Sequence, residues 1–91
     1  MTHPRTFILH SDPGHGWLQV HIHDLAPLGL SVSSFTKYSY TCEEYLFLEE
    51  DEDAGRFIRA YVAKHGEEPI VVNRYTPGQS EVRIYNRLRA A

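Results

Sequence analysis

Twelve acids, nine Lys or Arg and six His carry most of the chemistry that this 91-residue chain can offer. Seven of the acids, Glu43, Glu44, Glu49, Glu50, Asp51, Glu52 and Asp53, fall within eleven positions. The remainder is close to neutral or mildly basic, so the negative potential is concentrated in one place. Such a field attracts basic partners and repels nucleic-acid phosphate. The run is not a calcium loop. Counted from Asp51, the sixth residue is Arg56 and the twelfth Val62, where an EF-hand needs Gly and Glu. Capping a helix uses some of these acids, and the excess points to a partner-binding surface. Its expected members are Glu49, Glu50, Asp51, Glu52 and Asp53, with Tyr45 supplying contact area.

The histidines offer a second kind of chemistry. His10, Asp12, His15, His21, His23 and Asp24 lie within fifteen residues, and His21 and His23 would project from one face of a strand. With His10 or His15 beside them, a hairpin would assemble three ligands of the kind zinc takes. The spacing matches no established zinc pattern, and His21 and His23 equally suit the wet face of an amphipathic strand. No metal and no cofactor are therefore expected. Cys42 is the only cysteine, which excludes an internal disulfide. Its acidic neighbours disfavour the thiolate, so it makes a poor nucleophile.

Ser11-Asp12-Pro13-Gly14-His15-Gly16 holds two glycines but lacks the Gly-Lys-Ser/Thr ending of a phosphate loop and leads into a strand. It reads as a rigid turn against which Trp17 packs. Asp12 with His15 would suit acid–base work, but no nucleophile accompanies them. Arg74, Arg83, Arg87 and Arg89, interleaved with Tyr75 and Tyr85, would suit single-stranded nucleic acid if Arg74 and Arg83 shared an edge. They serve equally as salt-bridge partners for the acids.

The elements that must position these residues follow from periodicity. Residues 5–10 read as a first strand. Residues 17–23 alternate, with Leu18, Val20 and Ile22 opposite Gln19, His21 and His23. Asp24 suits an N-cap for a helical turn at residues 25–28 that Gly29 ends. Residues 35–40 and 45–49 read as strands joined by Thr41-Cys42-Glu43-Glu44. Ala54, Phe57, Ile58, Tyr61 and Val62 form the apolar stripe of a helix over residues 52–65, capped by Asp51 or Asp53 and stopped at Gly66. Phe57, Ile58, Tyr61 and Val62 are expected to pack on Leu18, Val20, Ile22, Leu46 and Leu48. Residues 70–75 and 81–85 read as a final hairpin. The expected class is α+β, an antiparallel sheet of about four to six strands with one main amphipathic helix across a face.

An apolar fraction of 42% suits one small domain over residues 1–91. No basic start precedes an apolar run, and no stretch nears the roughly 20 apolar residues of a membrane span. A cytoplasmic setting is expected.

Ser11-Asp12-Pro13-Gly14-His15-Gly16-Trp17-Leu18 and the stretch from Tyr45 to Ala54 resemble a group of small uncharacterised proteins of proteobacterial plasmids, integrative elements and phages. Lys37-Tyr38-Ser39-Tyr40 and the Ala60-to-Gly66 helix end extend the likeness to most of the chain. The resemblance implies a mobile-element setting and supplies no catalytic residue. Small acidic proteins of such elements often resemble inhibitors of host defence, anti-CRISPR proteins included, which occupy basic nucleic-acid sites. The expectation is a non-enzymatic protein whose acidic surface docks on a basic host protein or nucleoprotein complex, without direct contact to nucleic acid or membrane. The alternative is a small metal- or nucleic-acid-binding accessory factor using His21 and His23 or the arginines.

Overall fold

Two turn-linked strand pairs and one helix account for most of the architecture. The structure, a computed structural model, describes residues 4–88. Strand β1 (Thr6–Ser11) turns at the Asp-Pro-Gly segment into β2 (Gly16–His21). Strands β3 (Tyr40–Cys42) and β4 (Tyr45–Glu49) are joined by Glu43 and Glu44, with Glu43 at φ 56°. Helix α1 (Asp53–His65) ends at Gly66, whose φ of 76° is the left-handed conformation that glycine takes without strain. Strands β5 (Ile70–Tyr75) and β6 (Asn86–Arg87) complete one six-stranded sheet in the order β5-β1-β2-β4-β3-β6. Among the described residues, no helix is long and apolar enough to cross a membrane.

The α+β class and the single main helix are as expected, and the sheet is mostly antiparallel. It is mixed at one edge, because β5 pairs in parallel with β1, from Thr6 opposite Ile70 to Ser11 opposite Tyr75. The cause is the helix. β4 runs parallel to β1, and a helix crossing the sheet face returns the chain to the end where β4 began.

The expected final hairpin is therefore absent. Residues 81–85 do not pair with β5: Glu81–Ile84 curls into a 3₁₀ turn that Ser80 caps. Two further strand expectations are corrected. Only Tyr40 of residues 35–40 is in a strand, because Thr36 and Ser39 are drawn to Asp53 instead. Residues 22–24 leave β2 as a 3₁₀ turn, which leaves Ile22 exposed. Asp24 lies within that turn and accepts from the His21 amide and from Arg5 at 2.6 Å. It does not cap the next turn, Ala26–Leu28, which Gly29 ends as expected.

Both faces of the sheet's centre are covered. On the helix side, Phe57 and Tyr61 pack on Leu18, Val20, Leu46 and Leu48, as the periodicity requires, while Ile58 is partly buried and Val62, half-buried, lies outside this core. Phe7 meets both aromatic rings edge-on, at 5.2 and 6.0 Å between centroids. On the other side, Trp17, Tyr40 and Phe47 form a second core under Val82. The segment expected to be a strand thus serves as the lid of this second core.

Candidate functional site

The second face opens at one end into a cleft of ≈ 380 Å³. Trp17 of β2, Tyr40 of β3 and Tyr38 of the preceding loop provide aromatic walls. Glu49, Asp51 and Glu52 provide acids, and His15, Arg83 and Arg87 complete the lining. Strand register explains the meeting of distant residues. Trp17 lies opposite Glu49 in the β2–β4 pair, and Tyr40 lies opposite Arg87 in the β3–β6 pair.

Asp12 fastens the lid. Its buried carboxylate accepts from the Gly14 and His15 amides, from the Ser80 amide, and from Arg83 at 2.6 and 2.8 Å. The Arg83 guanidinium, then the Ser80 amide, hold this carboxyl well below the usual carboxylate range. A group kept ionised in this way has little capacity for acid–base catalysis, and the contact with His15 runs through that residue's backbone and not its ring. The Asp12–His15 pairing weighed from sequence is therefore structural. A Cβ at Gly14 would meet Arg83 Nη2 at 2.8 Å, so a larger residue there would shift this guanidinium. Arg83 also lies over Trp17, 5.1 Å from the ring centroid, and Arg87 lies over Tyr40 at 4.9 Å.

The acids from Glu49 to Asp53 divide four ways. Glu49 is half-buried, and its carboxylate accepts from the Asp51 and Glu52 amides at 3.0 and 3.3 Å, which satisfies donors at the helix entry. Burial pushes its carboxyl above the usual value; the Asp51 amide opposes this shift and the Asp51 charge adds to it. Asp51 and Glu52 are exposed at the cleft. Glu50 is exposed beside Gly16, away from the cleft lining.

Asp53, expected on the docking surface, is fully buried. Its Oδ2 accepts from the Thr36 amide, the Thr36 hydroxyl and the Ser39 hydroxyl, while Oδ1 is buried without a partner. It therefore clamps the loop over residues 36–39 and presents nothing to a partner. Neither Asp51 nor Asp53 caps α1; Glu52 stands at the cap position without a side-chain bond. Tyr45 is exposed but sits at the opposite end of β4 from Glu49, about 13 Å away. It packs on His21 and contributes nothing to the cleft.

The histidines do not assemble as a hairpin would allow. His10 Nε2 lies 2.7 Å from Gln19 Oε1. His21 accepts from the His23 amide and pairs with Glu44 at 3.1 Å. Among the described residues, the grouping with metal-ligand chemistry is His15, Glu49 and Asp51, whose ligand atoms lie within 4.8 Å of one another. Glu49 already accepts the Asp51 and Glu52 amides, which leaves its carboxylate little capacity to ligate a metal. Arg74 lies on β5 at the far edge while Arg83 is locked to Asp12, so they do not form the shared basic edge considered from sequence. Arg89 lies outside the described residues. Trp17, Tyr38 and Tyr40 carry no local signal as site residues, because the β2–β4 and β3–β6 registers that set Trp17 opposite Glu49 and Tyr40 opposite Arg87 act between distant segments. Arg87, considered from sequence with the other arginines, borders the cleft.

Comparison with known proteins returns no match: no protein-family model, no curated protein and no solved structure is significantly similar to this chain.

Proposed function

We propose that this chain is a non-enzymatic protein-binding protein whose acidic cleft receives a basic side chain from a nucleic-acid-binding site of a partner protein. One observation carries the reading: Glu49, Asp51 and Glu52 border the same cleft as Trp17, Tyr38 and Tyr40. Carboxylates beside aromatic faces suit a guanidinium or ammonium group, by charge-assisted hydrogen bonding and by attraction to the rings. Arg83 and Arg87 already lie over Trp17 and Tyr40, and Lys37 lies 5.9 Å from the Tyr38 ring centroid, so a partner's cation would share or displace these contacts. Tyr38, 55% exposed, and the carboxylates of Asp51 and Glu52 are open to solvent. In its sharpest form, this is an anti-defence inhibitor of a mobile element, anti-CRISPR proteins included, that competes with nucleic acid for the partner's basic site.

Affinity capture from host lysate, followed by competition with nucleic acid, tests this reading. Binding should weaken steeply with salt, since exposed charges are screened beyond about 8–10 Å at 0.1–0.15 M. Asp51→Lys with Glu52→Lys should abolish capture, and nucleic acid should displace the protein from its partner. Capture that survives this charge reversal would refute the proposal. Direct micromolar binding of DNA or RNA by the isolated protein would instead favour an accessory factor acting on nucleic acid.

A further inference from the structure

Strand β5 closes one end of the sheet, and all six of its residues are exposed. Ile70, Val71 and Val72 are 40–48% exposed and Tyr75 is 60% exposed. The segment Ile70-Val71-Val72-Asn73-Arg74-Tyr75 has high strand propensity and no Lys, Pro or bulge to protect an open edge. The Ile70 amide donates to Arg5 and the Thr76 amide to Ser11. In a strand the backbone groups alternate sides, so residues 70, 72, 74 and 76 face β1. The N–H and C=O groups of Val71, Asn73 and Tyr75 therefore point outward, and no described strand pairs with them.

We propose that these groups pair with the same strand of a second copy, antiparallel about a two-fold axis through Asn73. Chemistry at the strand ends selects the register, and the strand's own side chains suit a second copy. With Asn73 opposite Asn73, Val71 lies opposite Tyr75 twice, and all three outward residues of each copy exchange both hydrogen bonds. Sliding by two residues one way sets Tyr75 against Pro69, and sliding the other way sets Val71 against Pro77. Neither proline has an N–H to donate, so each slide leaves one outward carbonyl, that of Tyr75 or of Val71, without a partner on both copies. A second copy in the central register thus satisfies every open group of the edge. It also pairs an aromatic with a β-branched residue and sets no charge directly opposite another. The product is a continuous twelve-stranded sheet from two six-stranded ones. This goes beyond the proposed docking role: the clefts, built on β2, β3 and β4, stay open on each copy.

Sedimentation equilibrium of the intact chain, with amide hydrogen exchange read by NMR, tests the pairing. The mass should rise toward twice 10.5 kDa with concentration. Amides of Val71, Asn73 and Tyr75 should gain protection in step, while those of Ile70, Val72 and Arg74 are protected throughout. Val71→Lys with Tyr75→Lys sets like charges opposite each other twice and should weaken association at least about tenfold. Val71→Glu with Tyr75→Lys sets opposite charges there and should restore it, which separates lost pairing from lost folding. A monomer at every concentration overturns the proposal. So does a dimer whose Val71, Asn73 and Tyr75 amides exchange freely, or one indifferent to both charge variants.

Discussion

Replacing Asp53 by alanine should weaken the fold, while reversing its neighbours Asp51 and Glu52 should weaken only partner binding. Asp53 Oδ2 collects three hydrogen bonds, at 2.9 Å from the Thr36 amide, 2.7 Å from the Thr36 hydroxyl, and from the Ser39 hydroxyl. Hydrogen bonds to a carboxylate contribute about 1.5–3 kcal/mol each, so the gross loss is about 4–9 kcal/mol. The partnerless Oδ1 offsets part of this, because a buried unpaired polar atom costs about 1–3 kcal/mol. A net loss of about 2–8 kcal/mol is expected. A domain of this size has about 5–14 kcal/mol in total, so the variant stays folded only where the loss falls in the lower part of that range. Urea denaturation at neutral pH measures the change as a lower midpoint at constant slope. Asp51→Lys and Glu52→Lys touch only exposed carboxylates at the helix entry and should cost less than about 1 kcal/mol each. A loss below about 1 kcal/mol for Asp53→Ala would refute the clamp and return Asp53 to the surface.

Four further outcomes are expected. Phe57→Ala removes a fully buried ring and should cost on the order of 3–5 kcal/mol, which calorimetry would read as a drop in Tm of roughly 20 °C. Asp12 has a depressed folded pKa, so its contribution is present above the unfolded carboxylate value and is lost as pH falls. Asp12→Asn should accordingly flatten the acid side of the stability profile between about pH 5 and pH 2, measured by denaturation across pH. Glu49 has a carboxyl pushed up by burial, so affinity for a basic partner should begin to fall above the usual carboxylate value of about 4.3 as the buffer is acidified. Melts with zinc and with a chelator should agree within about a degree; a zinc-dependent rise abolished by His15→Ala would instead install a metal at His15, Glu49 and Asp51.

Local patterns were sufficient where the physics is local. The 3.6-residue stripe of α1 and the alternation of β2 each mark one apolar face, and Gly66 marks the helix end, because helix period, strand period and left-handed φ are properties of short segments. The acidic run was equally plain, and with it the general place of a negative surface. Long-range pairing decided the rest. Whether a carboxylate near a helix start faces water or the interior depends on which loop passes beneath it. Thr36 and Ser39 come from before β3, and their hydroxyls turn Asp53 inward while Asp51 and Glu52 stay out. Glu81–Ile84 alternates as well as many strands do, yet Asp12, some 70 residues earlier, holds Ser80 and Arg83 and bends the segment into a lid. The cleft brings together residues near 15, 38, 50 and 85 that no local window contains. The sequence therefore determined the main helix, the strands with a clear alternation and the place of the acidic run. Only the tertiary structure chose which of those acids the surface keeps, because strand register and buried hydrogen bonds act between segments and leave no local period to read.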